Sequence, residues 1–486
     1  MWAKVRNEMK KYVVQSWLIL GVSLTSFAFA EPVVEQDITP LQRLINDAHP
    51  HDTILLEDQT YSGNVVIKKP LTLIGQPGTI IDAQGVGSAI TIATNHVHIE
   101  QLMILNWGAD QYELDSGVLL NDGVTEVTIF NNDLIGNGFG VRADNTHHIE
   151  ISHNRIQGNA NMFVLDRGDG IYLKRVDHAV MNGNVITDVR DGIYLESGKH
   201  SLVKNNQFSE QQYGIHYMYT EGDEAFNNIS TNVDGGYALM NSKRINLHHN
   251  QVDNAATFGV LLNMTNDSDI HANRVNNIIN ANPKMPTGDE GKSMFIYGAR
   301  DNRVYDNEFA NSEIGIYMAM GGEGNQIFRN QFVNNQAQVK YVGDTKVEWS
   351  HNEQGNYWSG FIGWDRSGNG ISEQPYQPSD HLDRLYWLYP EAHFLLKSPV
   401  ASLLRWTQQQ FQIMPEVGVV DSFPMMQPAE NPNIGYAAEL VDNPADIATN
   451  KRAVRSTFSS TKPLTLSKPL SQQRVFAPSS EKSLSK

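Results

Sequence analysis

The chain has 486 residues, 40% hydrophobic and 19% charged, with no Cys and a formal net charge of −17. That much apolar material excludes global disorder. The missing cysteine excludes disulfide frameworks, zinc knuckles, iron–sulfur clusters and thiolate nucleophiles, leaving 15 Met and 16 His for soft-metal chemistry; the acidic balance argues against nucleic acid as a partner.

Lys4, Arg6, Lys10 and Lys11 precede an apolar run from Tyr12 to Phe29 that closes on Ala28-Phe29-Ala30. A basic start, a short apolar centre and small residues at −3 and −1 predict a cleaved secretory signal over residues 1–30. Gln15, Ser16 and Ser23 within the run disfavour the alternative, an uncleaved anchor. The expected product is an exported, periplasmic protein. Losing four basic residues and Glu8 takes its charge from −17 to −20.

A repeat of about 22 residues follows, marked by Asn132, Asn154, Asn184, Asn206, Asn228, Asn250, Asn273, Asn307, Asn330 and Asn352. Eight positions after most of them a Gly opens an apolar–polar alternation, as in Gly192-Ile193-Tyr194-Leu195-Glu196 and Gly214-Ile215-His216-Tyr217-Met218. Alternation over four or five residues means strands, and strands repeated once per coil stack in parallel about 4.8 Å apart. Residues 31–355 are therefore expected to form an all-β fold, a right-handed parallel β-helix. The repeated Asn would form a hydrogen-bonded ladder inside a turn. Thr39 to Ala48, with Pro40 at the first helical position, is expected to cap the open end as a short amphipathic helix.

Counted from the Gly, the first and third residues should point inward and the second outward. The inward sets run Val141, Ile171, Ile193, Ile215, Tyr237, Val260, Ile316 and Ala143, Leu173, Leu195, Tyr217, Leu239, Leu262, Met318. The outward line, Arg142, Tyr172, Tyr194, His216, Ala238, Leu261, Phe295 and Tyr317, is rich in aromatics for a solvated face. It is either covered by a loop or second layer of this chain, or it is a docking surface. In the second case Tyr172, Tyr194, His216, Phe295 and Tyr317 are the candidate partner-binding groove. Two insertions, Asn154 to Gly170 and Asn273 to Ser293, fall in the same turn and would bracket that groove about 24 Å apart. Between them, His216, Met218, Met240 and Met264 lie on successive coils near one end of the strand line. Thioethers with an imidazole suit Cu(I); soft packing under a loop is the alternative.

After Asn352 the repeat stops. In residues 356–379, Asp365, Ser367, Asn369, the Ile371 carbonyl and Glu373 alternate around Gly370 with the oxygen spacing of a calcium loop, although only two carboxylates remain. Residues 380–430 turn helical and amphipathic, broken at Pro390 and Pro399. Trp and Tyr suit this segment to a membrane-embedded partner, and packing over the end of the β-helix is the other use. Residues 431–486 are expected to be a disordered tail, basic from Lys451 onward.

These residues resemble the NosD family. The resemblance is carried by Arg167-Gly168-Asp169-Gly170-Ile171-Tyr172-Leu173, by Gly214 to Tyr219, and by Gly236 to Met240. Asn356-Tyr357-Trp358 belong to it too. Most specific is the C-terminal run: Asp383-Arg384-Leu385, Tyr389-Pro390-Glu391-Ala392, Ser398-Pro399 and Gly418 to Pro424. It implies a periplasmic non-enzyme that helps assemble the copper centres of nitrous oxide reductase. Its implied partners are an ABC-type membrane permease with a cytoplasmic ATPase, a copper chaperone lipoprotein and the reductase, with transient Cu(I) and one calcium ion as candidate cofactors. The family tends to carry Asp where this chain has Ser367 and Asn369, and the basic tail is an addition. The rival is a carbohydrate-active or polysaccharide-binding β-helix, such as a lyase or epimerase; its best catalytic set would be Arg142, Lys174 and Glu196.

Overall fold

The structure is a computed structural model that describes residues 38–280, 290–389, 398–411 and 417–429. The expected signal segment, the basic tail, Pro390 and the apolar residues Phe394 to Leu396 lie outside the described residues.

Short strands wind into a right-handed parallel β-helix of about 13 turns. Each coil has three faces. The first is a 12-stranded parallel sheet running from Asp52–Leu55 to Gln326–Phe328. The second begins with Thr60–Ser62 and the third with Val65–Ile67. Those two merge into one 23-stranded sheet because Ile229–Met240 and Gln251–Asn263 continue unbroken round the corner between them.

Both inward sets are buried, from Val141 and Ala143 through Ile316 and Met318. Burying apolar side chains contributes roughly 25 cal/mol per Å² of apolar area, and each coil adds to one continuous core. The column Gly170, Gly192, Gly214 shows why no larger residue opens these strands. A Cβ on each would come within 2.6, 2.5 and 2.9 Å of the next coil's glycine carbonyl.

The ladder forms as expected from Asn132 to Asn330. Asn132 Oδ1 accepts from the Leu102 amide. From Asn154 on, each Asn Oδ1 accepts the backbone amide of the Asn one coil earlier, as Asn228 does from Asn206 at 3.0 Å, while Nδ2 donates to carbonyls of earlier coils. Its last rung corrects the sequence expectation. Asn352 has left-handed backbone in a tight turn closed by His351 and Gln354, and the rung is Asn356, whose Oδ1 accepts from Asn330 at 3.0 Å. The turn adds four residues, so a count of 22 lands on the wrong Asn. Beyond Asn356 the ladder ends on Asp421, whose Oδ2 accepts the Asn356 amide at 2.7 Å and the Trp358 indole N–H at 2.8 Å.

Both ends are covered, as an uncapped stack requires. Helix α1 (Pro40–Asp47) is N-capped by Thr39 and buries Leu41 and Ile45 over the first coils. Its Gln42 side-chain amide pairs with the backbone N–H and C=O of Val66, standing in for a missing strand. At the other end, Lys346–Glu348, Tyr376–Ser379 and Gly418–Asp421 form a three-stranded sheet. Helix α2 (His381–Leu388) packs beside the last third-face strand, Ala337–Tyr341. Helix α3 (Pro399–Phe411) is tied back by Arg405, which donates to Asp380 at 2.7 Å and to Asp383 at 2.6 Å.

Candidate functional site

The outward line of the third face is continuous in register: Arg142, Tyr172, Tyr194, His216, Ala238, Leu261, Phe295, Tyr317 and Lys340 sit side by side on successive coils. Strand alternation turns these side chains out, yet Tyr172, His216, Ala238 and Leu261 are buried. They cover one another and are covered by neighbouring elements. The Arg142 guanidinium lies 4.1 Å from the Tyr172 ring centroid. Tyr172 meets Tyr194 edge-on at 4.9 Å, and Tyr194 stacks on His216 at 4.3 Å. Tyr213 then packs on Phe258, which joins Ala238 and Leu261. Phe295 stacks on Tyr317 at 4.9 Å, and the Lys340 ammonium lies between Tyr317 and Trp387 of α2.

The two anticipated insertions leave from the same corner, and a third joins them. The chain passes from the second face to the third between Leu105 and Ser116, between Gln157 and Ile171, and between Asn276 and Lys292. The first escaped the repeat count because its coil carries Leu102 where later coils carry Asn; the ten residues between Leu105 and Ser116 were the available signal. Gln111 on the first loop donates to the carbonyls of Asp166 and Arg167 on the second. The buried Arg167 then pins that loop. Its guanidinium donates to Met162, Ala160 and, on a later coil, Glu210, at 3.1 to 3.2 Å.

Between these loops and the stripe lies a cleft of about 730 Å³ whose floor includes Phe139, Arg142, Tyr172, Arg190 and Tyr194. Tyr112 and Leu165 line its mouth, Tyr112 97% exposed. Behind the floor, Arg190 makes a bidentate pair with the fully buried Asp169, at 2.9 and 2.6 Å. Burial pushes that carboxyl up to about 6 against the pull of Arg190. Tyr172 hydrogen-bonds Glu196, which also pairs with Lys174 at 3.1 Å. Burial, followed by that bonded carboxylate, raises the Tyr172 phenol far above its usual range. Of the rival catalytic set, Lys174 and Glu196 are thus engaged with each other, and Arg142 pairs instead with Asp144 at 3.0 Å.

The soft-metal candidates are only partly brought together. Glu196, Met218 and Met240 share one line, and the next position on it is Asn263. Met264 falls one residue beyond, with left-handed backbone and half exposed, so it leaves the line on which it was expected. His216 holds Asp191 through Nδ1 at 2.9 Å. Its Nε2 is buried.

The calcium-like loop spends its carboxylates on itself. Asp365 accepts the amides of Gly368 (2.6 Å), Asn369 (3.2 Å) and Gly370 (2.7 Å), and Ser367 Oγ at 3.1 Å. Glu373 accepts the amides of Arg366 and Ser367. These bonds, led by Gly370 for Asp365 and Arg366 for Glu373, hold both carboxyls below their ordinary values. The same alternation of oxygens builds an Asx-type turn around Gly370.

A family profile described as "Periplasmic copper-binding protein (NosD)" matches residues 152–363. Two proteins named "Probable ABC transporter binding protein NosD" are similar over most of the chain. The one from Stutzerimonas stutzeri is 39% identical over 76% of this chain and 85% of its own. The one from Pseudomonas aeruginosa is 39% identical over 76% and 88%. Among solved structures, a Yersinia enterocolitica family 28 exopolygalacturonase is 13% identical over 63% of this chain and 72% of its own, with a TM-score of 0.47. The A-module of the Azotobacter vinelandii mannuronan C-5 epimerase AlgE6 is 16% identical over 62% and 90%, also at 0.47. Likeness at that level says nothing of activity.

Proposed function

The chain belongs to the NosD family of periplasmic proteins, and on that premise we propose that it serves as an accessory factor in maturation of nitrous oxide reductase. In this reading it is a non-enzymatic platform. The permease of an ABC-type complex docks on the C-terminal cap, and the copper chaperone lipoprotein and the reductase dock at the cleft, over the end of the stripe that holds Tyr172 and Tyr194. It is held at the inner membrane through that complex, and Cu(I) is cargo passing between partners.

The observation that carries the reading is the outer face of α3. Val400, Leu403, Leu404, Trp406 and Phe411 are each between 51 and 67% exposed on one short helix. An apolar face flanked by a tryptophan fits a surface at the membrane interface better than a solvated one. The pairing of Lys174 with Glu196 and of Arg142 with Asp144 supports a non-catalytic face over the glycan-enzyme alternative, which needs a free acid and base.

The double variant Leu403→Glu with Trp406→Glu, expressed in the native host, should yield reductase with a severe copper deficit. Circular dichroism of the purified variant should stay unchanged. Fully metallated reductase from that strain would overturn the proposal, as would cleavage of an acidic glycan by the intact protein.

A further inference from the structure

On the first face, away from the cleft, a second ring stack runs outward along the coils. Phe226, His248, His271, Tyr305 and Phe328 share one register position. Successive centroids are 5.1, 4.9, 4.8 and 5.4 Å apart, with planes within 13° of parallel. The residue after each ring has left-handed backbone and turns the corner: Asn227, His249, Ala272, Asp306 and Arg329. Of these five coils, the one holding His248 and His249 alone places two imidazoles in sequence. Consecutive residues of a strand normally face opposite ways, but the left-handed His249, with φ of 53°, swings its ring back. The two rings meet edge-on, 5.0 Å between centroids, with their Nδ1 atoms 2.7 Å apart.

Two nitrogens at that distance share a proton. Glu224 Oε1 lies 3.0 Å from His248 Nε2 and, as a carboxylate, must accept there. In the neutral pair His248 therefore carries its proton on Nε2 and offers a lone pair at Nδ1, while His249 donates from its own Nδ1. An ion between the rings takes both Nδ1 lone pairs once the His249 proton moves to Nε2, with no net proton released. Spreading the nitrogens from 2.7 Å to about 4 Å, twice a metal–imidazole bond of about 2.0 Å, needs about 1.3 Å of side-chain movement. The His248 side chain keeps 16% of its surface exposed and His249 is also partly exposed, leaving a path to solvent. Among the described residues no three His, Cys, Asp or Glu gather as a metal-holding group, so the pair suits an ion content with two ligands.

We propose that His248 and His249 form a two-coordinate Cu(I) site through their Nδ1 atoms. Glu224 orients His248 in the carboxylate–histidine–metal manner, and the stack on Phe226 and His271 fixes its plane. Imidazole is a common copper ligand. The choice of metal rests on the copper-handling reading above; the site rests on the histidine geometry.

The test is anaerobic titration of the signal-free chain with Cu(I) against a chromogenic Cu(I) chelator, with X-ray absorption on the loaded protein. The wild type should bind one equivalent with nitrogen-only, two-coordinate ligation. His249→Asn, which tolerates left-handed backbone, and His248→Asn should each weaken binding at least about tenfold. Glu224→Gln should weaken it by roughly tenfold, the range for such orienting partners. Wild-type affinity in both histidine variants would overturn the site. So would sulfur scattering, which would move the ion to Met218 and Met240, or failure of the wild type to bind Cu(I). The absorption spectrum needs no variant, so a misfolded mutant does not spoil the test. The outcome is also separable from the docking proposal, which the reductase copper content of the α3 variant decides independently.

Discussion

Asp223 shows what a single buried carboxyl does in a solenoid. At the corner before the first face, its Oδ1 accepts the Ser201 amide at 2.7 Å, and the side chain is 1% exposed. Burial pushes its pKa up to about 7, against the lowering effect of that amide. The folded value lies above the unfolded one, so the proton it holds stabilises the native state fully below about pH 4. That contribution is lost as pH rises through about 7. Three coils later in the same ladder Asn302 does the equivalent work, its Oδ1 accepting from Ser268 and its Nδ2 donating to Thr265. Asp223→Asn should therefore stabilise the protein at pH 8 by about 2 kcal/mol. It should also flatten the loss of stability between pH 4 and 8, read from urea melts across that range. Equal pH slopes for variant and wild type would show that Asp223 is not the group titrating.

Among elements, the loop of residues 158–169 owes its shape to one side chain. Three of its bonds converge on the Arg167 guanidinium, one of them reaching across to Glu210. Arg167→Ala removes all three donors and leaves their carbonyls to water, a local cost of roughly 2–4 kcal/mol. The expected result is rapid proteolytic nicking between Asn159 and Asp166, with loss of whatever partner affinity the cleft supplies. Thermal stability of the coils should fall far less, because loops of a solenoid are not part of its stacked core. The period made the position of this loop legible. Its contact with the loop of residues 106–115 was not, because Gln111 and Asp166 are 55 residues apart and no repeat relates them.

For the whole molecule, stacked coils contact only their neighbours, so the ends carry a burden the middle does not. The C-terminal cap is held by non-local ties: Asp421 on the Asn356 rung, the Lys340–Trp387 contact, and Arg405 against Asp380 and Asp383. Burial and then Asp380 push the Asp383 carboxyl up to about 7, while Arg405 pulls it down. Arg405→Ala removes that pull from a crowded, half-buried acidic pair. Hydrogen exchange should accelerate in α2 and α3 by at least about tenfold, with the coils from Asn132 to Asn273 unchanged. Acceleration spread evenly over the coils would mean that the cap and the solenoid unfold as one unit.

The repeat, the inward core, the Asn ladder and the N-terminal cap were all legible in the sequence, because each is a local pattern copied at a fixed period. Stacking turns that period directly into contacts between residues about 22 apart. Outside the period, only the tertiary structure decided. The last rung moved from Asn352 to Asn356 through a four-residue turn, and its terminus is Asp421, 65 residues on. Met264 left its line because the strand ends at Asn263 and the backbone turns left-handed. The aromatic stripe proved largely self-covered, since cation–ring and ring–ring contacts between coils hide what alternation alone turns outward. His248 and His249, adjacent in the chain, come face to face only because the corner reverses the second ring. Period and polarity determine which coil a residue joins and which side it faces. Insertions, left-handed corners and chain-distant partners determine what it touches.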